Sequence, residues 1–284
     1  MLSYRHAFHA GNHADVVKHL ALVLTLDYYQ QKAKPFCYID THAGAGLYQM
    51  TSQEAQKTRE YEQGIAAVLQ APNPPVALQP YLALIRELNP NKPLKLYPGS
   101  PWLAARLLRA NDSLHLFELH PTDAQRLNQN FQQDKRVQVH KEDGLKGLLK
   151  LLPPSMRRSV ILMDPSYELK TDYTDVIKTL VQAHKRFATG TYMLWYPVIQ
   201  RQRVESMAKA LQTSAIPDIL QVEYSPLADS EGIGMTGSGL FIINPPWVLA
   251  EQMQTLLPWL LTTTGTSSGH FRIQIITPEK TAKG

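Results

Sequence analysis

The 284-residue sequence contains one cysteine, Cys37, and no long apolar run. A lone cysteine cannot form an internal disulfide or a cysteine-based zinc site, so we exclude a secreted disulfide scaffold and expect a reducing compartment. No stretch approaches the roughly 18 uncharged apolar residues of a membrane span. The polar, histidine-rich start, residues 1–15, lacks the apolar segment of a signal peptide. These absences predict a cytoplasmic protein that binds no membrane.

The composition contains enough apolar material for a sizeable core. Apolar residues make up 44% of the chain and charged residues 19%, which excludes extensive disorder. Lys and Arg outnumber Asp and Glu by 29 to 24, a formal charge of +5. A basic balance suits a phosphate-rich partner, but it is also common in proteins that bind no nucleic acid. The charge alone therefore does not identify the partner.

Strand-like and helix-like segments alternate along most of the chain, which predicts a parallel sheet with helices on both faces. The late runs 219–224, 240–243 and 270–276 are typical of a terminal antiparallel set. Segment 51–96 shows two helical patterns around a proline-rich break and no strand pattern. We therefore predict one domain over 1–50 and 97–284, with a helical insertion subdomain over 51–96. Two helix starts are also predicted, with Asp15 and Ser100 as N-caps.

Acidic residues follow four successive predicted strands: Asp40, Glu118, Asp143 and Asp164. In an open parallel sheet, ligands bind beyond the carboxyl ends of the strands. One acid after a strand is ordinary turn chemistry. Four acids at one edge indicate a site for a ligand that carries hydroxyls, amines and positive charge.

The loop after the first strand, Gly44-Ala45-Gly46, begins like a dinucleotide-binding fingerprint, but Gln49 stands where the third glycine is expected. No Gly-Lys-Ser/Thr sequence follows, which excludes a P-loop. A loop that allows close backbone approach without holding a pyrophosphate suits S-adenosylmethionine. In this interpretation Glu118 accepts from the ribose hydroxyls, Asp143 with Gly144 meets the adenine amine, and Asp40 and Gly44 lie near the methionine part.

The sequence Asp164-Pro165-Ser166-Tyr167 resembles the Asp/Asn-Pro-Pro-Tyr/Phe/Trp signature of methyltransferases that act on exocyclic or amide nitrogens. The lone pair of an adenine N6 is delocalised into the ring, so the nitrogen is a poor nucleophile. Hydrogen bonds from its N–H groups to the Asp164 side chain and the Pro165 carbonyl hold it toward the methyl donor. Tyr167 offers a ring on which a flipped base can stack. We predict Asp164, Pro165 and Tyr167 as the catalytic motif.

A second sequence, Asn244-Pro245-Pro246-Trp247, matches the same signature better, because Ser166 replaces the second proline of the first motif. We favour Asp164 because it ends the next strand after Asp143. Asn244 follows a late strand in the predicted antiparallel region, where a rigid turn is the simpler interpretation.

Five segments together resemble the RlmJ (YhiR) family of 23S ribosomal RNA adenine-N6 methyltransferases, and the resemblance extends over essentially the whole chain. It implies a Rossmann-like class I fold, S-adenosylmethionine as cofactor with S-adenosylhomocysteine as product, 23S ribosomal RNA as partner, and an RNA-contacting Tyr4. The segments are 4–19, 40–46, 97–101, 164–168 and 237–239. The implied cofactor contacts are His19, His42, Ser100, Glu118, Asp143, Gly144 and Asp164.

The N-terminal segment combines aromatic and basic side chains, which is typical of RNA contact. We predict Arg5 and Lys18 as RNA contacts beside Tyr4; the alternative is a frayed terminus. Histidines 6, 9, 13 and 19 match no common ligand spacing, so we predict no metal. Lysines and arginines of the insertion either extend the RNA surface or form a solvated face. We expect a monomer.

Three other functions compete with this hypothesis. A DNA adenine or protein-amide methyltransferase shares the catalytic motif. An inactive RNA-binding protein with a methyltransferase fold is opposed by the intact Asp164, Tyr167 and Glu118. A nicotinamide-dependent oxidoreductase would need a third glycine in place of Gln49.

Overall fold

Short apolar runs of the sequence form the strands of a central sheet, because strands that are covered on both faces must be apolar throughout. The computed structural model describes residues 4–91, 93–229 and 234–279. In chain order the strands are β1 (Cys37–Asp40), β2 (Leu47–Gln49), β3 (Leu96–Pro98), β4 (Ser113–Phe117), β5 (Val137–His140), β6 (Ser159–Met163), β7 (Thr191–Val198), β8 (Ile219–Ser225), β9 (Gly237–Ile243) and β10 (His270–Thr277).

The main sheet has eight strands in the order β10-β8-β9-β7-β6-β1-β4-β5. Strands β5, β4, β1, β6 and β7 are parallel, whereas β9 is antiparallel to β7 and β8, and β10 is antiparallel to β8. The predicted Rossmann-like α/β fold and its terminal antiparallel set are confirmed. Since β1 lies between β6 and β4, the strand order reverses there, and such reversals are where open α/β sheets bind ligands.

The helices cover the sheet and form most of the insertion. They are α1 (His13–Gln30), α2 (Gln53–Thr58), α3 (Ile65–Gln70), α4 (Gln79–Leu88), α5 (Ser100–Leu107), α6 (Pro121–Phe131), α7 (Gly144–Leu151), α8 (Asp172–Arg186), α9 (Arg201–Thr213) and α10 (Leu249–Thr264). Single 3₁₀ turns occur at His6–Phe8, Glu60–Glu62 and Val76–Leu78. None of the helices in these described ranges is long and apolar enough to cross a membrane.

Two predicted helix starts are wrong. Helix α1 begins at His13, because the Asn12 side chain caps it by accepting a hydrogen bond from the Asp15 amide at 3.0 Å. Gly99 occupies the N-cap position of α5, so Ser100 is the first helical residue. Both predicted caps, Asp15 and Ser100, instead use their side chains in the network at the sheet edge.

Helix α1 is buried along nearly its whole length, including its polar residues Asp15, Lys18 and His19. It contacts β9, α4, α5 and α10. Residues of the insertion, including Ile65, Tyr81 and Ile85, are fully buried in the same hydrophobic cluster as the apolar residues of α1. The insertion therefore adds to the main core, and the domain boundaries at 51 and 96 stay a prediction.

A short antiparallel ribbon closes the insertion. Strand β2 pairs with β3, and the Met50 amide donates to the Lys95 carbonyl at 2.8 Å. The sequence analysis predicted neither of these two strands. The ribbon also brings the glycine loop to α5, because the Gly99 amide donates to the Gly46 carbonyl at 3.0 Å.

Candidate active site

The predicted acidic residues lie at the carboxyl edge of the parallel strands. Asp40 is the last residue of β1, Glu118 directly follows β4, and Asp164 directly follows β6. Because β1 pairs with both β4 and β6, these three carboxylates are neighbours. Asp143 follows the adjacent strand β5 and caps α7. The edge therefore brings together all four acids that the sequence indicated.

Glu118 is held by two backbone amides. Gly44 donates to its Oε2 at 2.8 Å and His120 donates to its Oε1 at 2.7 Å. Burial raises the pKa of the carboxyl, while both amides oppose that shift. Gly44 has a φ of +60°, and a Cβ there would lie 2.2 Å from the Tyr48 hydroxyl. The loop thus needs glycine to bring its amide to Glu118.

Asp143 and Gly144 form the start of α7. Asp143 Oδ1 accepts from the Leu145 and Lys146 amides at 3.0 and 3.2 Å. A Cβ on Gly144 would lie 1.9 Å from the Thr41 carbonyl, so the helix start packs directly on the loop that follows β1. The half-buried Asp143 therefore borders the same loop as Glu118.

Asp40 is completely buried, and its oxygens bind groups of the protein itself. Oδ2 accepts from Tyr38 Oη at 2.8 Å and from Ser100 Oγ at 2.6 Å, and Oδ1 accepts from the His42 amide at 3.2 Å. Burial raises its pKa to about 6. Asp40 therefore orients two predicted cofactor contacts, Ser100 and His42, and burial lowers the pKa of the His42 imidazole.

Lys18 lies between two carboxylates and is almost completely buried, with 4% of its side chain exposed. Its Nζ is 2.5 Å from Asp164 Oδ2 and 2.8 Å from Asp15 Oδ1. Although burial alone lowers it, the pKa of Lys18 is held well above its ordinary value by Asp15 and Asp164. The structure thus places this predicted RNA contact beside the predicted catalytic carboxylate, inside the protein.

Polar contacts continue from Asp15 to the surface. His6 Nε2 is 2.9 Å from Asp15 Oδ2, and the Tyr4 hydroxyl is 2.9 Å from His6 Nδ1. Tyr4 is 38% exposed. We call Tyr4, His6, Asp15, Lys18 and Asp164 the polar chain, since it joins an exposed ring to the motif after β6.

His19 and Arg5 are two further predicted contacts, and both have partners within the protein. His19 is buried, its Nδ1 is 2.8 Å from the Tyr97 hydroxyl, and the two rings stack at 5.6 Å. Burial lowers the pKa of His19 to about 3, so the imidazole is neutral. Arg5 Nη2 lies 3.4 Å from Oε1 of Glu54 in the insertion. The cofactor role of His19 and the RNA role of Arg5 stay predictions.

Tyr167, two residues after Pro165, adopts a left-handed conformation with a φ of +54°. Its hydroxyl donates to the Trp195 carbonyl at 2.6 Å, and its ring centroid is 4.5 Å from that of Tyr173. The Lys18 ammonium lies 5.8 Å from the Trp195 ring centroid. Tyr167 is thereby fixed in one orientation, and 7% of it is exposed.

The second motif lies at the other end of the sheet. Asn244 follows β9, whose last residue Ile243 pairs with Tyr192 near the start of the antiparallel neighbour β7. The Asn244 side-chain amide donates to the Ala188 and Gly190 carbonyls at 2.8 and 2.7 Å. Asn244 thus joins β9 to the turn before β7, and its purely structural role stays a prediction.

Sequence reasoning missed the part that Asp15 and His6 play in the polar chain. Asp15, Lys18 and His19 are three and four residues apart on one helix, and this spacing is a signal that places them on one face. The contact with His6 depends on the fold of the N-terminal segment and has no such signal. No group of three or more histidine, cysteine or acidic residues suited to a metal occurs in the ranges that the structure describes.

The sequence is also similar to proteins of a known family. A family model described as "Ribosomal RNA large subunit methyltransferase D, RlmJ" matches residues 33–277. The chain belongs to the RlmJ family. It is 49% identical to the Escherichia coli K12 protein named "Ribosomal RNA large subunit methyltransferase J", covering 98% of this chain and 100% of that protein. A Haemophilus influenzae protein of the same name is 46% identical over 98% of this chain and 100% of its own length.

A solved structure shares this architecture. A crystal structure of a Legionella pneumophila protein superposes with a TM-score of 0.88 at 36% identity, covering 94% of this chain and 98% of the other. The resemblance to RlmJ that the sequence motifs indicated is confirmed, and so is the predicted fold class.

Proposed function

We propose that the protein transfers a methyl group from S-adenosylmethionine to the exocyclic N6 of an adenine in 23S ribosomal RNA. The observation that carries the proposal is the position of Asp164-Pro165-Ser166-Tyr167 at the carboxyl edge of β6, with Lys18 against the Asp164 carboxylate. Membership of the RlmJ family and the printed names of two relatives support ribosomal RNA as the substrate. A ribosomal RNA substrate also supports the cytoplasmic location that the sequence predicts, and the monomeric state stays a prediction.

The residues at the edge fit S-adenosylmethionine in their chemistry. Glu118 is fixed by two amides, and a carboxylate oxygen that accepts one of them still has a lone pair for a ribose hydroxyl. Both α7 amides donate to Asp143 Oδ1, so Oδ2, which lies 3.4 Å from the exposed Lys146 ammonium, keeps a lone pair for the adenine amine. We propose that Ser100, His42 and Gly44 contact the rest of the cofactor. When bound, the cofactor supplies an electrophilic methyl group.

The side chains of the motif orient the acceptor nitrogen. Asp164 accepts an N–H of the adenine amine, and the Pro165 carbonyl accepts the other, which directs the nitrogen lone pair away from the ring plane. Lys18 balances the charge of Asp164 in a water-poor setting, where electrostatic interactions are strong. Tyr167, held by Trp195, limits where the base can lie.

Tyr4 and Arg5 are the proposed RNA contacts. A base that leaves its helix is unstacked, and stacking on an aromatic ring is worth roughly 1–3 kcal/mol per base. Tyr4 has an exposed ring at the outer end of the polar chain. Its position lets one contact both support the RNA and connect to Asp164.

The test is incubation of the protein with labelled S-adenosylmethionine and, separately, 23S ribosomal RNA, duplex DNA and total protein, followed by digestion and separation of the products. We expect label in N6-methyladenosine from RNA alone. Label in DNA or in amide side chains would show that the substrate is DNA or protein and not RNA. No transfer to any of them, with RNA binding retained, would identify an inactive binding protein.

A further inference from the structure

The N-terminal segment, residues 4–12, lies directly against the helical insertion. The Ile65 amide donates to the Gly11 carbonyl at 2.9 Å. A Cβ on Gly64 would lie 2.1 Å from the Gly11 carbonyl oxygen, so the two backbones touch with no room for a side chain. A terminal segment that would otherwise fray is therefore docked on the insertion.

Glu60 of the insertion binds this segment at two points. Its Oε1 is 2.9 Å from His9 Nδ1, and its Oε2 accepts from Asn12 Nδ2 at 2.9 Å. The hydrogen bond with Glu60 raises the pKa of His9, so the pair is charge-assisted. One carboxylate thus connects two residues of the segment to the insertion.

Both partners of Glu60, His9 and Asn12, contact residues of the polar chain. The His9 ring stacks on the Tyr4 ring with centroids 5.6 Å apart and planes 9° apart. Asn12 caps α1 by accepting from the amide of Asp15. Glu60 therefore reaches the outer end of the polar chain through His9 and its middle through Asn12.

We infer that Glu60 is a positioning residue for methyl transfer, and that holding Tyr4 and Asp15 in place relative to Asp164 is a task of the helical insertion. The inference rests on the proposed function, because it needs Tyr4 to contact RNA. Misplacement of a substrate-contacting group by about 1 Å can slow a reaction by about a hundredfold. An anchor of the segment is therefore expected to affect turnover more than stability.

Stability should change little, because the Glu60 and His9 side chains are 36% and 38% exposed. Exposed ion pairs typically contribute less than about 1 kcal/mol to folding. Glu62, two residues further along the same 3₁₀ turn, is 44% exposed and pairs with Arg59 inside the insertion. Glu62→Ala is thus a matched control that removes a carboxylate from the same turn without touching the N-terminal segment.

The experiment compares Glu60→Ala, Glu60→Gln and Glu62→Ala in steady-state methylation of 23S ribosomal RNA, with cofactor affinity and melting temperature measured in parallel. We expect kcat/KM for RNA to fall about tenfold or more in Glu60→Ala and to stay near wild type in Glu62→Ala. Glu60→Gln should recover part of the loss, because its amide can accept from Asn12 and donate to a neutral His9. Melting temperature and cofactor affinity should stay close to wild type in all three variants.

A double-mutant cycle with Tyr4→Ala separates positioning from a general structural effect. If Glu60 acts through Tyr4, adding Glu60→Ala to Tyr4→Ala should lower kcat/KM by much less than it does in the wild-type background. Equal loss in Glu60→Ala and Glu62→Ala, or full additivity with Tyr4→Ala, would overturn the inference. Failure of the wild-type protein to methylate RNA would instead contradict the proposed function.

Discussion

Two segments of the molecule carry nearly the same four-residue signature and lie at opposite ends of the main sheet. Asp164 follows the parallel strand β6 at the carboxyl edge, whereas Asn244 follows the antiparallel strand β9 and therefore lies near the start of β7. The better match to the signature therefore lies at the edge opposite the four acids. A motif of this kind acquires meaning from the direction of the strand before it.

The side chains of Asn244 and Asp164 also have different kinds of partner. The Asn244 amide donates to two backbone carbonyls and so joins β9 to the turn before β7. Asp164 contacts Lys18, a buried ammonium that also pairs with Asp15. The first arrangement stabilises a turn, and the second concentrates charge beside an open edge.

The largest effect is expected from Asp164→Ala, which tests the chemical side of the comparison. Because the proposed acceptor of the adenine N–H is then lost, kcat should fall by about 10²–10³-fold. Folding should be preserved, because Lys18 keeps Asp15 as a partner. Single-turnover methylation and a melting curve measure both quantities. Near-wild-type turnover, together with loss of activity in Asn244→Ala, would reverse the assignment.

Glu118→Ala tests whether the edge that contains Asp164 also binds the cofactor. Removing a buried acceptor from a hydrogen-bonded ligand typically costs about 1–3 kcal/mol, which is roughly a 5–150-fold increase in Kd. The loop amides of Gly44 and His120 also lose their partner, so the loop itself should loosen. Calorimetry with S-adenosylmethionine measures the affinity, and an unchanged Kd would remove Glu118 from the cofactor site.

Asn244→Ala should have its effect on stability. Two carbonyls lose their donor, and alanine must adopt a φ of about +50°. We expect a loss of about 1–2 kcal/mol in the free energy of unfolding and a melting temperature lower by roughly 2–8 °C. Methyl transfer at a temperature well below the transition should be unchanged. A large fall in kcat without destabilisation would speak against a purely structural turn.

The smallest effect is expected for Trp247→Ala. Trp247 is 77% exposed and occupies the position that matches Tyr167 in the other motif. Because surface substitutions outside special features usually change stability by less than about 0.5 kcal/mol, neither stability nor turnover should change measurably. Tyr167→Ala is the contrasting variant, since Tyr167 is buried and bonded to Trp195. Similar behaviour of the two variants would weaken the distinction between the motifs.

The sheet and its acidic edge could be predicted because both depend on local patterns. Buried parallel strands are continuous apolar runs, and the acid after each run is visible without knowledge of the packing. The choice of Asp164 over Asn244 followed from strand order alone. The ribbon of β2 and β3 escaped prediction, since strands of three residues have too little periodicity to detect and their partners lie far apart in the chain.

The partners of individual side chains were harder to predict than the location of the strands and of the acids that follow them. Lys18 reads as an exposed basic residue of the N-terminal region, yet it is buried, because its neutralising partners come from α1 and from the end of β6. Likewise, Asp15 reads as a helix cap, but Asn12 takes that position and leaves Asp15 free to bind Lys18 and His6. Such pairings depend on tertiary structure, which patterns within one segment do not encode.

The ribbon of β2 and β3 holds the two ends of the helical insertion together. Because Met50 and Lys95 are hydrogen-bonded to each other, the excursion between them begins and ends at the same place. The entropy of closing a flexible loop rises only by about 0.6 kcal/mol for each doubling of its length. Extra residues in the exposed turn at 71–75 would therefore leave the spacing of Gly46 and Ser100 intact. The length of the insertion is thus independent of the geometry of the edge that contains Asp40 and Glu118.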